Sequence, residues 1–254
     1  MLIDTHCHLD AKEFDADREV VIARAQAAGV SCIVVPTVGR ANFATVTALC
    51  RQYSVCSAAY GIHPMYVDSA VPEDLEALRE TLRCEQPIAM GEIGLDRFIV
   101  DRDDARQEFY FIEQLRIARE FNLPVLLHVR CAIDTVLKHL RQIRVHGGIA
   151  HAFNGSRQQA DEFIKLGFKL GFGGAMTWPR ATRLRKLAAS LPLESIVLET
   201  DAPDIPPAWL GRKRNEPAEV AAIAREIAAL RKMEVPALLT ATMTNTKVVL
   251  QRMA

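Results

Sequence analysis

Residues 2–10 read LIDTHCHLD, a short apolar start that turns polar as it ends, and this layout decides the fold. Side chains two apart on a β-strand share a face, so His6 and His8 project to one side while Cys7 projects to the other. Two imidazoles side by side at a strand end can chelate one ion. About one chain in five of this length and histidine content would hold such a pair by chance, so the pair needs support from the rest of the sequence.

Seven further runs follow the same plan: CIVVPT (32–37), CSAAYGIH (56–63), IAMGEIG (88–94), PVLLHV (124–129), GGIAHAF (147–153), KLGFGG (169–174) and IVLET (196–200). They are apolar on both faces, which suits parallel strands covered by helices, because a strand with one wet face alternates more strictly. Stretches of helical length separate them. Val21, Ala25 and Ala28 fall at i, i+4 and i+7 ahead of Gly29, a residue suited to a helix C-cap. Phe111, Leu115 and Ala118 repeat that spacing within residues 104–122, and residues 217–231 open on Pro217 and carry Val220, Ile223, Ala224 and Ile227. Eight strands alternating with helices predict one α/β domain over residues 1–254, a TIM (β/α)8 barrel, the usual fold at this length. An open doubly wound sheet is the other arrangement, and no Gly-x-Gly-x-x-Gly turn follows the first strand to favour it.

Half of the residues are apolar and 24% are charged, a composition that excludes a disordered chain or a coiled coil. Lys plus Arg and Asp plus Glu number 31 each, so no long-range positive field recruits nucleic acid and any phosphate must be held locally. The cysteines, at 7, 32, 50, 56, 84 and 131, form no Cys-x-x-Cys pair, which fits reduced thiols. The opening residues lack a signal-peptide pattern, and no stretch approaches the roughly 18 to 20 apolar residues of a membrane span. A cytoplasmic protein with no membrane partner is expected.

The polar residues gather at the ends of the runs. His63 ends the third, Glu92 lies near the end of the fourth, His128 and His151 near the ends of the fifth and sixth, and Asp201 follows the eighth. In a barrel these C-terminal ends converge on one face, where the βα loops build the active site. Imidazoles and carboxylates gathered there without an ion would need costly pairing, so the constellation points to a metal site. Only His139 and His146 stand outside it. Asp4, in phase with His6 and His8, and Glu199, in phase with Asp201, are expected either to orient ligand imidazoles or to form structural ion pairs in the barrel. His63, Arg130 and Arg214, with Arg212 and Lys213 beside the last, are expected to contact substrate phosphate.

The chain resembles the TatD-like deoxyribonucleases, a family of metal-dependent TIM-barrel hydrolases in the amidohydrolase superfamily. The resemblance runs end to end on seven ordered motifs: DTHCHLD (4–10), GIHP (61–64), GEIGLD (91–96), LPVLLH (123–128), HAFNGS (151–156), LETDAP (198–203) and RNEP (214–217). It implies that His6, His8 and Asp201 bind a first ion, that His128 and His151 bind a second, and that Glu92 bridges the two. Lys169 precedes the apolar part of its run and so sits at the opposite rim, which argues against the carbamylated-lysine bridge of other amidohydrolases.

Two divalent ions about 3.5 to 4 Å apart acidify a shared water and neutralise the oxygens of a phosphoester under attack. Asp201, held at the metal, is the residue expected to orient or deprotonate that water. Mixed imidazole and carboxylate donors suit Zn²⁺ or Mn²⁺, with Mg²⁺ a poorer match. The expected activity is phosphoester hydrolysis, with 3′-5′ exonuclease action on DNA ends as its specific form. The same pair of ions polarises a carbonyl equally well, so hydrolysis of an amide or lactone is the alternative. A barrel that keeps metal as a structural staple while binding a partner is the third reading. Departures from the family pattern bear on substrate: Arg97 stands where many members have Tyr, Val129, Arg130 and Cys131 where they have Ser-Arg-Asp, and Asn154 where they have Ser.

Overall fold

The structure, a computed structural model, describes residues 1–252. Eight strands, β1 (Leu2–Asp4), β2 (Val30–Pro36), β3 (Cys56–Tyr60), β4 (Ala89–Asp96), β5 (Val125–Arg130), β6 (Gly148–Ala150), β7 (Phe168–Phe172) and β8 (Ile196–Leu198), form one sheet. Strand order follows chain order, and every neighbouring pair is parallel. The sheet closes on itself where Thr5 N donates to Leu198 O at 3.0 Å, Asp201 N to His6 O at 2.8 Å and His8 N to Ala202 O at 2.8 Å. This is the expected TIM barrel.

The wrapping helices are α1 (Arg18–Ala27), α2 (Phe43–Gln52), α3 (Pro72–Glu85), α4 (Asp104–Glu120), α5 (Ile133–Gln142), α6 (Arg157–Lys165), α7 (Thr182–Ser190), α8 (Val220–Arg231) and α9 (Val235–Val249). Pro217 opens a single 3-10 turn, Pro217–Glu219, and the α-helix proper starts at Val220. The apolar stripes read from sequence face inward: Val21, Ala25, Phe111, Leu115, Ile223 and Ile227 are all fully buried. Side chains pointing into the barrel, among them Val34, Ala59, Leu126, Ile149 and Val197, make a separate inner cluster. Burying one such Leu or Val stabilises the fold by about 1.5–3 kcal/mol.

Sequence reading did not anticipate α9. Its threonines interleave with apolar residues and blur the stripe, yet it caps the barrel at the end opposite the site. Val249 and Leu250 join the inner cluster, and Asn245 Nδ2 donates to Leu193 O and Ile196 O, each at 2.8 Å. At the other end, β4 and β5 shift register between Met90 and Ile93. There Gly94 has φ +152°, and a Cβ on it would fall 1.8 Å from His128 O. Only glycine lets the two strands meet this closely, which sets the height at which Glu92 and His128 face each other.

Candidate metal centre

The C-terminal rim of the barrel gathers the polar strand ends onto one another. His6 lies beyond β1 with no exposed surface, and its Nε2 is 3.1 Å from Glu92 Oε2 and 3.6 Å from Asp201 Oδ1. His8 Nε2 is 3.4 Å from the same Glu92 oxygen and 3.9 Å from Asp201 Oδ1. The other Glu92 oxygen, Oε1, faces His151 Nε2 at 2.7 Å, His128 Nδ1 at 3.0 Å and His63 Nε2 at 3.5 Å. The rings of His6 and His151 stack at 3.9 Å between centroids. The structure therefore brings all six expected ligands, and His63 with them, into one cluster.

Charge decides what the cluster can hold. Burial disfavours the charge on Glu92, yet the surrounding imidazoles, His151 foremost, keep its carboxyl well below the usual range. Burial likewise works against protonation of His8 and His151, but Glu92 and Asp201 overcome it and pull both pKa values up. Burial and the neighbouring His151 push His6 down to about 3, so it stays a neutral donor. Glu92 and Asp201 thus draw positive charge onto the site, and imidazole nitrogens with carboxylate oxygens are a donor set that fits Zn²⁺ or Mn²⁺. Three sets, His6 with Glu92 and His151, His6 with His8 and Asp201, and His63 with Glu92 and His128, each have ligand atoms close enough to hold an ion.

The residues around the cluster fix its orientation. Asp96, which sequence reading passed over, has no exposed surface and places Oδ2 2.9 Å from His128 Nε2. With an ion on Nδ1, that bond would keep the His128 proton on Nε2, the arrangement by which a carboxylate orients a ligand histidine. Asp96 sits four residues after Glu92, in phase on β4, and that phase was its signal in the sequence. Gln107 binds both backbone groups of Asp96, accepting from its N at 2.9 Å and donating to its O at 3.2 Å.

His63 is part of the cluster and largely buried. Its Nδ1 accepts from Met65 N at 3.1 Å, capping the short 3-10 helix that starts at Pro64. With Nδ1 occupied, the neutral ring carries its proton on Nε2 and presents a donor to the cleft.

Asp4 does not orient an imidazole. Its Oδ1 accepts from Thr200 N at 2.9 Å and its Oδ2 from Thr200 Oγ1 at 2.6 Å, and burial raises its pKa to about 7. These bonds hold the segment in which Asp201 adopts φ +58°, a left-handed conformation that an Asp tolerates when its surroundings enforce it. Asn215 of the RNEP motif completes the brace, donating from Nδ2 to Thr200 O at 2.8 Å and Asp204 O at 2.9 Å. Glu199 accepts from Ala152 N, and burial lifts its carboxyl to about 8. It fits only because residue 171 is glycine, whose Cβ would fall 1.9 Å from Glu199 Oε2.

Above the cluster opens a cleft of about 1450 Å³ lined by Lys12, Tyr66, Phe98, Arg130 and Arg183 among others. Arg130 is therefore where the sequence put it. Arg214 is not brought to the cleft lining: its guanidinium donates to Asp17 at 2.7 and 2.8 Å and to Glu216 at 2.9 Å, and lies over the Phe14 ring. Arg212 and Lys213 also lie outside the lining. Lys169 bonds Glu194 O at 2.7 Å, at the far end from the cluster as expected.

Comparison with known proteins agrees with this geometry. The model of the TatD related DNase family matches residues 3–251. Over 247 residues the chain is 40% identical to the uncharacterized metal-dependent hydrolase YjjV of Escherichia coli K12, covering 96% of this chain and 95% of that protein. It is 35% identical over 248 residues to the 3′-5′ ssDNA/RNA exonuclease TatD of Cronobacter sakazakii, covering 95% and 94%. The crystal structure of the E. coli TatD homologue YjjV superimposes with a TM-score of 0.94 at 39% identity, covering 98% of this chain and 97% of that one. By motif, fold and match along its length, the chain belongs to the TatD family of metal-dependent hydrolases.

Proposed function

We propose that the protein hydrolyses phosphoesters, with strand ends of DNA or RNA among its substrates, and that two divalent ions serve the site. The observation that carries this reading is the division of donors by Glu92, whose Oε2 faces His6 and His8 while its Oε1 faces His128 and His151. On this reading His6, His8 and Asp201 hold one ion, His128 and His151 hold the other, and Glu92 lies between them. Zn²⁺, Mn²⁺ and Mg²⁺ are the candidates, in that order of fit to the donors.

When bound, the ions supply Lewis acidity that acidifies water and neutralises phosphoryl oxygens. Asp201 orients the attacking water and accepts its proton. His63 donates from Nε2 to a phosphoryl oxygen, and Asp96 keeps His128 turned toward the site. Arg130, with no carboxylate within 4.0 Å among the described residues, contacts a substrate phosphate. A cation free of internal partners is the kind that binds an incoming anion. The exonuclease name of the Cronobacter relative supports a nucleic-acid substrate. All six cysteines are free thiols, and no helix of the described residues is long and apolar enough to cross a membrane. Both suit work in the cytosol.

Purified protein loaded with Mn²⁺ or Zn²⁺ is expected to release nucleotides from end-labelled single-stranded DNA, or phosphate or alcohol from small phosphoesters. The control is Asp201→Asn. If no substrate in the panel turns over faster with the native chain than with that variant, the proposal fails.

A further inference from the structure

We infer that Phe98 and Arg130 form a platform that receives the nucleobase carried beside the scissile phosphoester, an inference that rests on the phosphoesterase reading above. The guanidinium carbon of Arg130 lies 3.8 Å from the Phe98 ring centroid, close enough for a face-on stack. Phe98 is 60% exposed, so the fold gains little from burying it. Both side chains line the cleft that opens over the metal ligands.

The neighbouring arginines are neutralised within the protein. Arg97 pairs with Glu108 at 2.8 Å and Arg102 with Asp104 at 2.7 Å. Arg130 has no such partner among the described residues, and its stacking ring covers one face of a cation that is otherwise open to the cleft. A planar guanidinium backed by an aromatic ring is a surface on which a base stacks, and the cation's N–H edge stays free for phosphate.

The same framework that builds the metal site holds the platform in place. Asp96 uses Oδ2 for His128 and Oδ1 to accept from Phe98 N at 2.9 Å, so a single carboxylate locks a ligand histidine and the ring together. Arg130 follows His128 by two residues on β5, in phase with it, which places it about 6.6 Å farther along the strand. That is roughly the reach from a nucleotide's phosphate to its base. The preferred substrate class is therefore a phosphoester bearing a planar heteroaromatic group, a nucleotide or a single-strand end, over an alkyl or sugar phosphate.

Calorimetric binding to the metal-loaded protein tests this with two ligands that differ only in the base, deoxyadenosine 5′-monophosphate and 2-deoxyribose 5-phosphate. The native chain is expected to prefer the nucleotide by about tenfold, toward the low end of what one base stack contributes. Phe98→Ala is expected to erase the preference by weakening the nucleotide alone, and Phe98→Trp to retain it. Because Phe98 is largely exposed, an unchanged Tm verifies that the alanine variant folds. Equal affinities in the native chain, or an equal loss of both ligands in Phe98→Ala, overturn the platform and leave phosphoester hydrolysis standing. A preference that Phe98→Ala removes, in a protein that turns over no phosphoester, retains the platform and overturns the hydrolase reading. No binding of either ligand overturns the platform.

Discussion

Replacing Asp96 by Asn tests how the site is aimed without changing the shape of the side chain. The native carboxylate accepts at both oxygens, from Phe98 N and from His128 Nε2, each at 2.9 Å. An amide keeps one acceptor. If its oxygen stays with Phe98 N, its NH₂ faces His128 Nε2, and two donors cannot meet there. The ring must then move its proton to Nδ1, the nitrogen that faces Glu92 Oε1 at 3.0 Å, and that nitrogen can no longer offer a lone pair. A hydrogen bond to a charged group contributes about 1.5–3 kcal/mol, and loss of such a partner typically lowers metal affinity about 10- to 100-fold. Titration of the metal-free variant against a chromophoric chelator, with Zn²⁺ or Mn²⁺, is expected to show one equivalent weakened by that factor and one nearly unchanged. Retention of both equivalents at native affinity would refute the reasoning, as would equal loss of both.

Three further outcomes follow from the same structure. Chelation is expected to lower Tm by about 5–10 °C, because ligand at a hundred times its Kd contributes about 2.7 kcal/mol and a chain of this size shifts about 2–4 °C per kcal/mol; an unchanged Tm would mean the cluster holds no ion. Leu126→Ala empties a fully buried position inside the barrel and should cost about 2–5 kcal/mol in urea unfolding, with metal stoichiometry intact at 25 °C. Arg214 holds the Asp17 carboxyl below its ordinary value of 3.8, so the stabilisation is present above that pH and is lost as pH falls through the lower folded value. The urea midpoints of the native chain and Asp17→Asn should therefore differ modestly at pH 7 and converge as the pH falls into the acid range; a gap that widens in acid would reverse the assigned sign.

Much of the site was legible because two periodicities do the placing. The two-residue phase of a strand put His6 and His8 together, and parallel packing put the ends of the other runs at the same rim, so six candidate ligands emerged from spacing alone. Asp96 obeyed the same phase and was missed because the motif around it offered a more conspicuous carboxylate in Glu92. Asp4 failed differently: its phase was read along β1, but the regular ladder ends at Asp4, and its oxygens turn to Thr200 across the seam instead. Arg214 illustrates what spacing cannot carry. A basic run at the active-site face looks free in one dimension, whereas Asp17, far away in sequence, neutralises it in three. The closing helix α9 was lost because threonines diluted the apolar stripe by which helices are read.

Two of the three hydrogen bonds that close the barrel run through His6, His8 and Asp201, which come from the ends of its first and last strands. Thr5 and Leu198, which meet at that seam, stand 193 positions apart, so this contact carries a large loop-closure cost and is poorly suited to form early in folding. Any ion held by His6, His8 and Asp201 must wait until the circle is complete. Metal capture would then reward only the finished topology: a chain lacking its last strand would have no means of holding that ion, and one that has closed would gain a clasp across the join.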